Sequence, residues 1–103
     1  MSSLDYHSTV REPLDPAAAR LLVRRILEAG TLTFSRHALQ ELGKDDLTTV
    51  DAVNVLRGGA VSPGELERGT WRYRIRTARL VVVVAFRSET ELVVVTGWRV
   101  GQR

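Results

Sequence analysis

The sequence predicts an α+β fold in which N-terminal helices pack on an antiparallel, meandering β-sheet. In the first 58 residues, apolar positions recur at the three- and four-residue spacing of amphipathic helices. After Gly59 the chain changes to segments rich in Val, Ile, Tyr and Trp, which favour strands. The polar connections between the longer segments are too short for a parallel crossover, which needs about a dozen residues or more. These strands are therefore predicted to be antiparallel neighbours.

The 103 residues are enough for one domain, which we expect at residues 16–103 after a flexible N-terminal arm at residues 1–15. Asp15 and Pro16 predict the start of a first helix, since aspartate can cap free amides and proline suits the first helical position. Gly30 is expected to end it. One apolar stripe is predicted to face the core: Ala19, Leu22, Val23, Ile26 and Leu27.

Residues 31–34 alternate and predict a short strand or an extended link. Ser35 then resembles an N-cap, which places Arg36 and His37 in the first turn of a short second helix. His37 and Glu41 share the outer face of this helix, where Glu41 favours a charged imidazole and the helix dipole opposes it. The positions expected to face inward are Ala38, Leu39 and Leu42.

A third helix is predicted from the capping-box pattern of Thr48 and Asp51 and is expected to run to Arg57. Its inward face would be Val50, Val53 and Leu56. Beyond it we predict a short strand at residues 60–62 and a turn or loop at Pro63-Gly64.

Three longer strands are predicted at residues 71–76, 80–87 and 92–98. Residues 80–86 are apolar on both faces. This pattern predicts the central strand, covered by helices on one side and partly covered on the other.

The net charge of +3 is concentrated in the C-terminal half, where residues 59–103 contain eight arginines and four glutamates. A basic region of this kind favours a polyanion or an acidic partner protein. A GC-rich genome would produce the same arginine bias without a functional cause.

Several classes of site are disfavoured by composition. The chain has no cysteine, which excludes disulfides and thiolate metal sites, and its two histidines, His7 and His37, are too few for a histidine-rich zinc site. Residues 1–15 contain no apolar run that would serve as a signal peptide or anchor. We therefore expect a cytoplasmic protein with no metal, no other cofactor and no membrane association.

One combination of residues predicts chemistry. His37 can exchange a proton near neutral pH, and Arg72, Arg74 and Arg76 alternate on one predicted strand, so that they share a face. A base that accepts a ribose hydroxyl proton and guanidinium groups that neutralise a phosphate are what RNA cleavage without metal requires. The same alternation is also typical of the solvent face of any half-buried strand.

Five short motifs, together with their order, resemble a family of small bacterial proteins catalogued as a domain of unknown function. They are Phe34-Ser35-Arg36-His37-Ala38, Leu47-Thr48, Gly58-Gly59, Tyr73-Arg74-Ile75 and Val95-Thr96-Gly97-Trp98. This family is grouped with the RelE-like toxins. The resemblance implies a RelE-like fold and a metal-independent endoribonuclease, the toxin of a toxin–antitoxin pair, in which the ribose 2′-hydroxyl attacks the adjacent phosphate.

The resemblance also implies roles for particular residues. His37 would be the general acid or base, Arg74 would bind the phosphate with Arg72 or Arg76, and Thr96 would position the substrate. Arg36 would contribute to RNA binding. The implied partners are RNA, free or on the ribosome, and an antitoxin protein.

The chain departs from the family pattern beside His37. Gln40-Glu41-Leu42 and Asp45-Asp46-Leu47 stand where the family commonly has basic residues, and these acids would repel RNA. The alternative is therefore a degenerate RelE-like module that binds RNA or a partner protein without cleavage. Trp98 is compatible with either a core position or a base-stacking role.

Overall fold

The computed structural model describes residues 10–101. These residues form three helices and six strands, in the order α1 (Pro16–Ala29), β1 (Thr31–Phe34), α2 (Arg36–Lys44), α3 (Thr49–Gly58), β2 (Ala60–Val61), β3 (Glu65–Glu67), β4 (Thr70–Arg76), β5 (Leu80–Phe86) and β6 (Glu91–Arg99). The α+β class is confirmed, and β3 is an additional strand at residues for which no element was predicted.

The helices begin at the predicted caps. The Asp15 carboxylate accepts the Ala18 amide at 2.8 Å. The Ser35 hydroxyl likewise accepts a hydrogen bond from the Ala38 amide at 3.0 Å. At α3, the Thr48 side chain and its partner three residues later form both hydrogen bonds of a capping box. These bonds satisfy amides that the first helical turn leaves free, so the three starts depend on residues close in sequence.

The sheet has the strand order β1-β6-β5-β4-β2, and β3 pairs separately with β4. β5 is central, as predicted. The prediction of a purely antiparallel sheet is wrong, because β1 pairs in parallel with β6. The rule for short connections applies only to strands that follow one another along the chain. β1 and β6 are separated by two helices and four strands.

All three helices contact one face of the sheet and enclose the core. The fully buried positions include Tyr73 and Ile75 of β4, Val82 and Val84 of β5, and Leu92 and Val94 of β6, packed against helix residues Ala19, Val23, Ile26, Ala38, Leu42, Ala52, Val55 and Leu56. Leu39 and Val50 are exceptions to the predicted inward positions, with 49% and 65% of their surface exposed. Only a narrow stripe of the short helices α2 and α3 meets the sheet. Leu39 lies beside this stripe on α2, and Val50 lies on the side of α3 opposite the buried Ala52.

The segment before α1 contacts the domain. The Leu14 amide donates to the Tyr73 hydroxyl at 2.9 Å, and this hydroxyl donates to the Glu12 carboxylate at 3.0 Å. Burial raises the pKa of Tyr73 to about 12, and it also raises the pKa of Glu12. Residues 10–15, predicted as part of the arm, are thus attached to the core. Residues 1–9 of that arm, with His7, lie outside the described residues.

Candidate functional site

The sheet face opposite the helices carries the arginines of β4. We call it the open face and define it by Arg72, Arg74, Arg76, Val81, Val83, Ala85, Thr96 and Trp98, none of which belongs to the helix-side core. In register, Arg74 lies beside Val83 and Val83 beside Thr96. Two strand spacings of about 4.8 Å therefore separate the backbones at Arg74 and Thr96.

A β-bulge in β6 places Thr96 on this face. Val94 pairs with Val84 and Thr96 pairs with Val83, so Val95 is an extra residue between the two pairs. In a regular strand, residues two apart share a face, and Thr96 would then lie on the core side with Val94. The bulge reverses the alternation, so that Gly97 lies on the core side, close to Leu42 of α2. Thr96 and Trp98 lie on the open face.

A small cleft of about 190 Å³ lies on the open face, and we call it the open-face cleft. The Arg74 guanidinium lies 5.7 Å from the centre of the Trp98 ring, within the range of a cation–π contact. Val83 forms part of the lining between these side chains. The full lining is Glu65, Glu67, Arg72, Arg74, Val83, Thr96 and Trp98.

Both arginines of the cleft are paired with carboxylates of β3. Arg72 lies 3.3 Å from Glu67, and Arg74 lies 3.9 Å from Glu65. The Arg72 Nε is buried and has no hydrogen-bond partner within residues 10–101. The cleft therefore combines two cations, two anions, a hydroxyl and an indole ring.

The sequence analysis missed Glu65 and Glu67 as part of the site. A signal was present, because the two acids alternate around Leu66 and precede Arg68-Gly69. Arg68 and Gly69 have φ angles of 52° and 81°, as in the two-residue turns that connect hairpin strands. A Gly at the second turn position between alternating segments is a recognised hairpin signal.

Helix α2 runs alongside the second half of β6. At its start the Ser35 hydroxyl donates to the Val95 carbonyl at 3.1 Å, and at its end the Asp45 carboxylate accepts the Arg99 amide at 2.9 Å. Two helical residues after Ser35 rise about 3 Å, and one strand residue after Val95 rises about 3.3 Å. His37 is consequently level with Thr96 along β6.

His37 is exposed at this edge of the sheet and does not line the open-face cleft. Its predicted partner Glu41 instead accepts a hydrogen bond from Lys44 at 2.8 Å. The pKa of Glu41 is lowered mainly by this bond, and the nearby charge of His37 lowers it further. Glu41 borders a second groove, of about 360 Å³, which shares Trp98 with the cleft.

The predicted site residues are therefore only partly brought together. Arg72, Arg74 and Thr96 line one cleft. His37 and Arg36 lie at the exposed start of α2, and Arg76 lies farther along β4, opposite Val81. Trp98, whose role the sequence left open, is a principal wall of the cleft.

Comparison with known proteins identifies no relative: no family model, curated protein or solved structure matches the chain. Within residues 10–101, no group of three or more histidine, cysteine or acidic side chains is arranged to hold a metal ion. No helix in the same range has both the length and the apolar character needed to cross a membrane.

Proposed function

We propose that this protein binds single-stranded RNA on the open face and cleaves it without a metal ion, as the toxin of a RelE-like toxin–antitoxin pair. The main support is the common cleft of Arg72, Arg74 and Thr96, since Thr96 lies on a different strand from the two arginines and still lines the same cleft. Guanidinium groups bind phosphate oxygens in a planar, two-pronged geometry. Trp98 adds an aromatic surface on which a base can stack.

The cleavage step that we propose uses His37 together with the arginines of the cleft. The ribose 2′-oxygen attacks the adjacent phosphorus as the bond from phosphorus to the 5′-oxygen breaks. His37 accepts the 2′-hydroxyl proton or, when protonated, donates a proton to the leaving 5′-oxygen, and water serves the other transfer. Arg72 and Arg74 neutralise the charge that develops on the phosphate. The products are a 2′,3′-cyclic phosphate and a 5′-hydroxyl.

The test is incubation of end-labelled, mixed-sequence RNA with the purified protein in excess chelator. We expect cleavage to 2′,3′-cyclic ends, lost in His37→Ala and reduced by at least about a hundredfold in Arg74→Ala, the size typical of losing one such group. Arg87→Ala, at an exposed position just after β5, is the matched control and should cleave normally. An active His37→Ala protein would remove His37 from the mechanism.

The second candidate is a binding module without catalytic activity. It is favoured by the Glu67 and Glu65 pairs to Arg72 and Arg74 and by the position of His37 outside the cleft lining. Its expected result in the same assay is intact RNA that the protein retains in a mobility-shift gel, with binding that weakens as salt is raised. Absence of both cleavage and binding would overturn both candidates.

A further inference from the structure

Two carboxylates of the protein itself, those of Glu65 and Glu67, pair with the arginines of the cleft. In the register of β3 with β4, Glu65 lies directly opposite Arg72 and Glu67 opposite Thr70, yet each carboxylate pairs diagonally with the next arginine along β4. Glu65 and Glu67 alternate around Leu66, so both carboxylates face the side of the arginines. The two arginine charges and the two glutamate charges of the cleft cancel, although the surrounding sequence is basic.

Strand β3 is a peripheral element. It pairs only with β4, its three residues are exposed, and 58% of the Leu66 surface is accessible to solvent. The side chains of Glu65 and Glu67 are 67% and 62% exposed, whereas those of Arg74 and Arg72 are 52% and 30% exposed. Ion pairs with carboxylates this exposed contribute little net stability, because the carboxylates are well solvated when apart. The carboxylates can therefore leave the arginines at small cost, without disturbance of the helix-side core.

Carboxylate and phosphate compete for the same guanidinium donors. Both anions accept paired N–H groups from arginine in the same planar geometry. A phosphate that enters the cleft must displace Glu65 from Arg74 or Glu67 from Arg72, and the displaced carboxylate stays close and repels it. The ligand must therefore supply additional contacts, such as stacking on Trp98, to bind tightly.

We propose that Glu65 and Glu67 are built-in competitors of the ligand phosphates, which hold Arg72 and Arg74 until RNA displaces them and so set the affinity of the cleft. This inference rests on the proposed binding of RNA at the open face. It assigns to β3 a regulatory contact that lowers the affinity of the cleft for RNA and makes RNA binding less dependent on salt.

The experiment compares Glu65→Gln/Glu67→Gln with a control of equal net charge, Glu28→Gln/Glu89→Gln, in which both positions are exposed and neither lines the cleft. The probe is a fluorescently labelled 12-nucleotide single-stranded RNA of mixed sequence, carrying 2′-O-methyl groups so that no free 2′-hydroxyl can attack the phosphate. Binding is measured by fluorescence anisotropy over a series of salt concentrations. Thermal unfolding verifies that each variant is folded, and the two single variants replace the double variant if it is not.

We expect Glu65→Gln/Glu67→Gln to bind roughly tenfold more tightly than the control, since two ion pairs no longer have to be broken. The slope of log affinity against log salt should steepen by about 0.7 for each arginine released, or about 1.4 in total. In an Arg74→Gln background, Glu65→Gln should increase affinity by less than it does in the wild type, because the ion pair is already gone and only the repulsion of the phosphate is relieved.

The outcomes separate the two proposals. If the wild type binds the probe and Glu65→Gln/Glu67→Gln matches the control or binds more weakly, the competitor role is overturned and RNA binding stands. If neither the wild type nor any variant binds, the proposed function is overturned together with this inference. If only the Glu65→Gln/Glu67→Gln protein binds, the competitor role is supported and RNA binding by the wild type is overturned.

Discussion

The two faces of the same sheet differ in what their side chains contribute. On the helix-covered face of β4, Tyr73 and Ile75 are fully buried. On the open face, Arg74 and Arg76 of the same strand are exposed. β5 is buried on both faces, although only its Val82 and Val84 side belongs to the core beneath the helices. The opposite side lies beneath long side chains such as those of Arg74 and Trp98.

Burial alone therefore does not identify the part of the sheet that stabilises the fold. Truncation of an apolar side chain that packs against the helices lowers the stability of the fold, because the surrounding structure cannot fill the cavity. Charged side chains that lie over a valine surface can move or be replaced with little loss. We therefore expect substitutions on the helix-covered face to change stability and those on the open face to change ligand binding.

The largest expected effect is a core truncation. Leu92→Ala removes a fully buried side chain between β6 and the helices and should lower the free energy of unfolding by about 2–5 kcal/mol. Leu66→Ala, at an exposed position in β3, is the matched control and should change it by less than about 0.5 kcal/mol. Urea denaturation measures both, and equal losses would contradict the assignment of the core to the helix-covered face.

Alkaline pH should lower the free energy of unfolding, because Tyr73 on the helix-covered face then ionises. Its pKa is raised to about 12, so the folded state holds the phenol proton more tightly than the unfolded chain does. Stability from this group is complete below about pH 10 and is lost as pH rises towards about 12, by up to about 3 kcal/mol. Chemical denaturation between pH 9 and pH 12, a range set by the ordinary tyrosine pKa of about 10, measures the loss.

Tyr73→Phe is the corresponding control. It removes the titrating group, so its unfolding free energy should show a correspondingly smaller fall across that pH range. At neutral pH it should be about 1–2 kcal/mol less stable than the wild type, because the Leu14 amide loses its hydrogen-bond acceptor. An unchanged alkaline transition in Tyr73→Phe would assign the pH dependence to another group.

On the open face, Trp98→Ala should weaken RNA binding by about 1–3 kcal/mol, the contribution of one base stacked on an aromatic ring. Trp98→Phe retains a stacking surface and should lose much less. Fluorescence anisotropy with the same labelled RNA compares the variants. Similar losses for both would indicate that the indole holds Arg74 in place and does not bind a base itself.

The smallest expected effect tests the stability contribution of the arginines. Arg74→Gln removes a side chain that is 52% exposed and whose ion pair with Glu65 spans 3.9 Å, so the unfolding free energy should change by less than about 1 kcal/mol. Thermal unfolding at matched salt measures it. A loss as large as that of Leu92→Ala would mean that the open face contributes to the fold as strongly as the helix-covered face does.

From the sequence, much of the site could be predicted as a set of residues but not as an arrangement in space. The alternation of Arg72, Arg74 and Arg76 fixed their common face in advance, because residues two apart in a strand point the same way. Their ion pairs could not be predicted in the same way, since they depend on β3, a three-residue strand that pairs only with β4. The position of His37 along β6, level with Thr96, could not be predicted either, because it depends on the contacts of Ser35 and Asp45 with β6.

Two features of the fold follow from local sequence: the starts of the helices and the central position of β5. Asp15, Ser35 and Thr48 cap amides only three residues away, and a segment that is apolar on both faces needs cover on both. These features depend on neighbours along the chain or on the segment's own composition.

Two other features depend on tertiary packing: the parallel pairing of β1 with β6, and the bulge that turns Thr96 onto the open face. Both are properties of strand register, which depends on the combined packing of distant segments. The alternating pattern of β6 alone would have placed Thr96 beside Val94 on the core side, and no local residue signal indicates the extra residue at Val95.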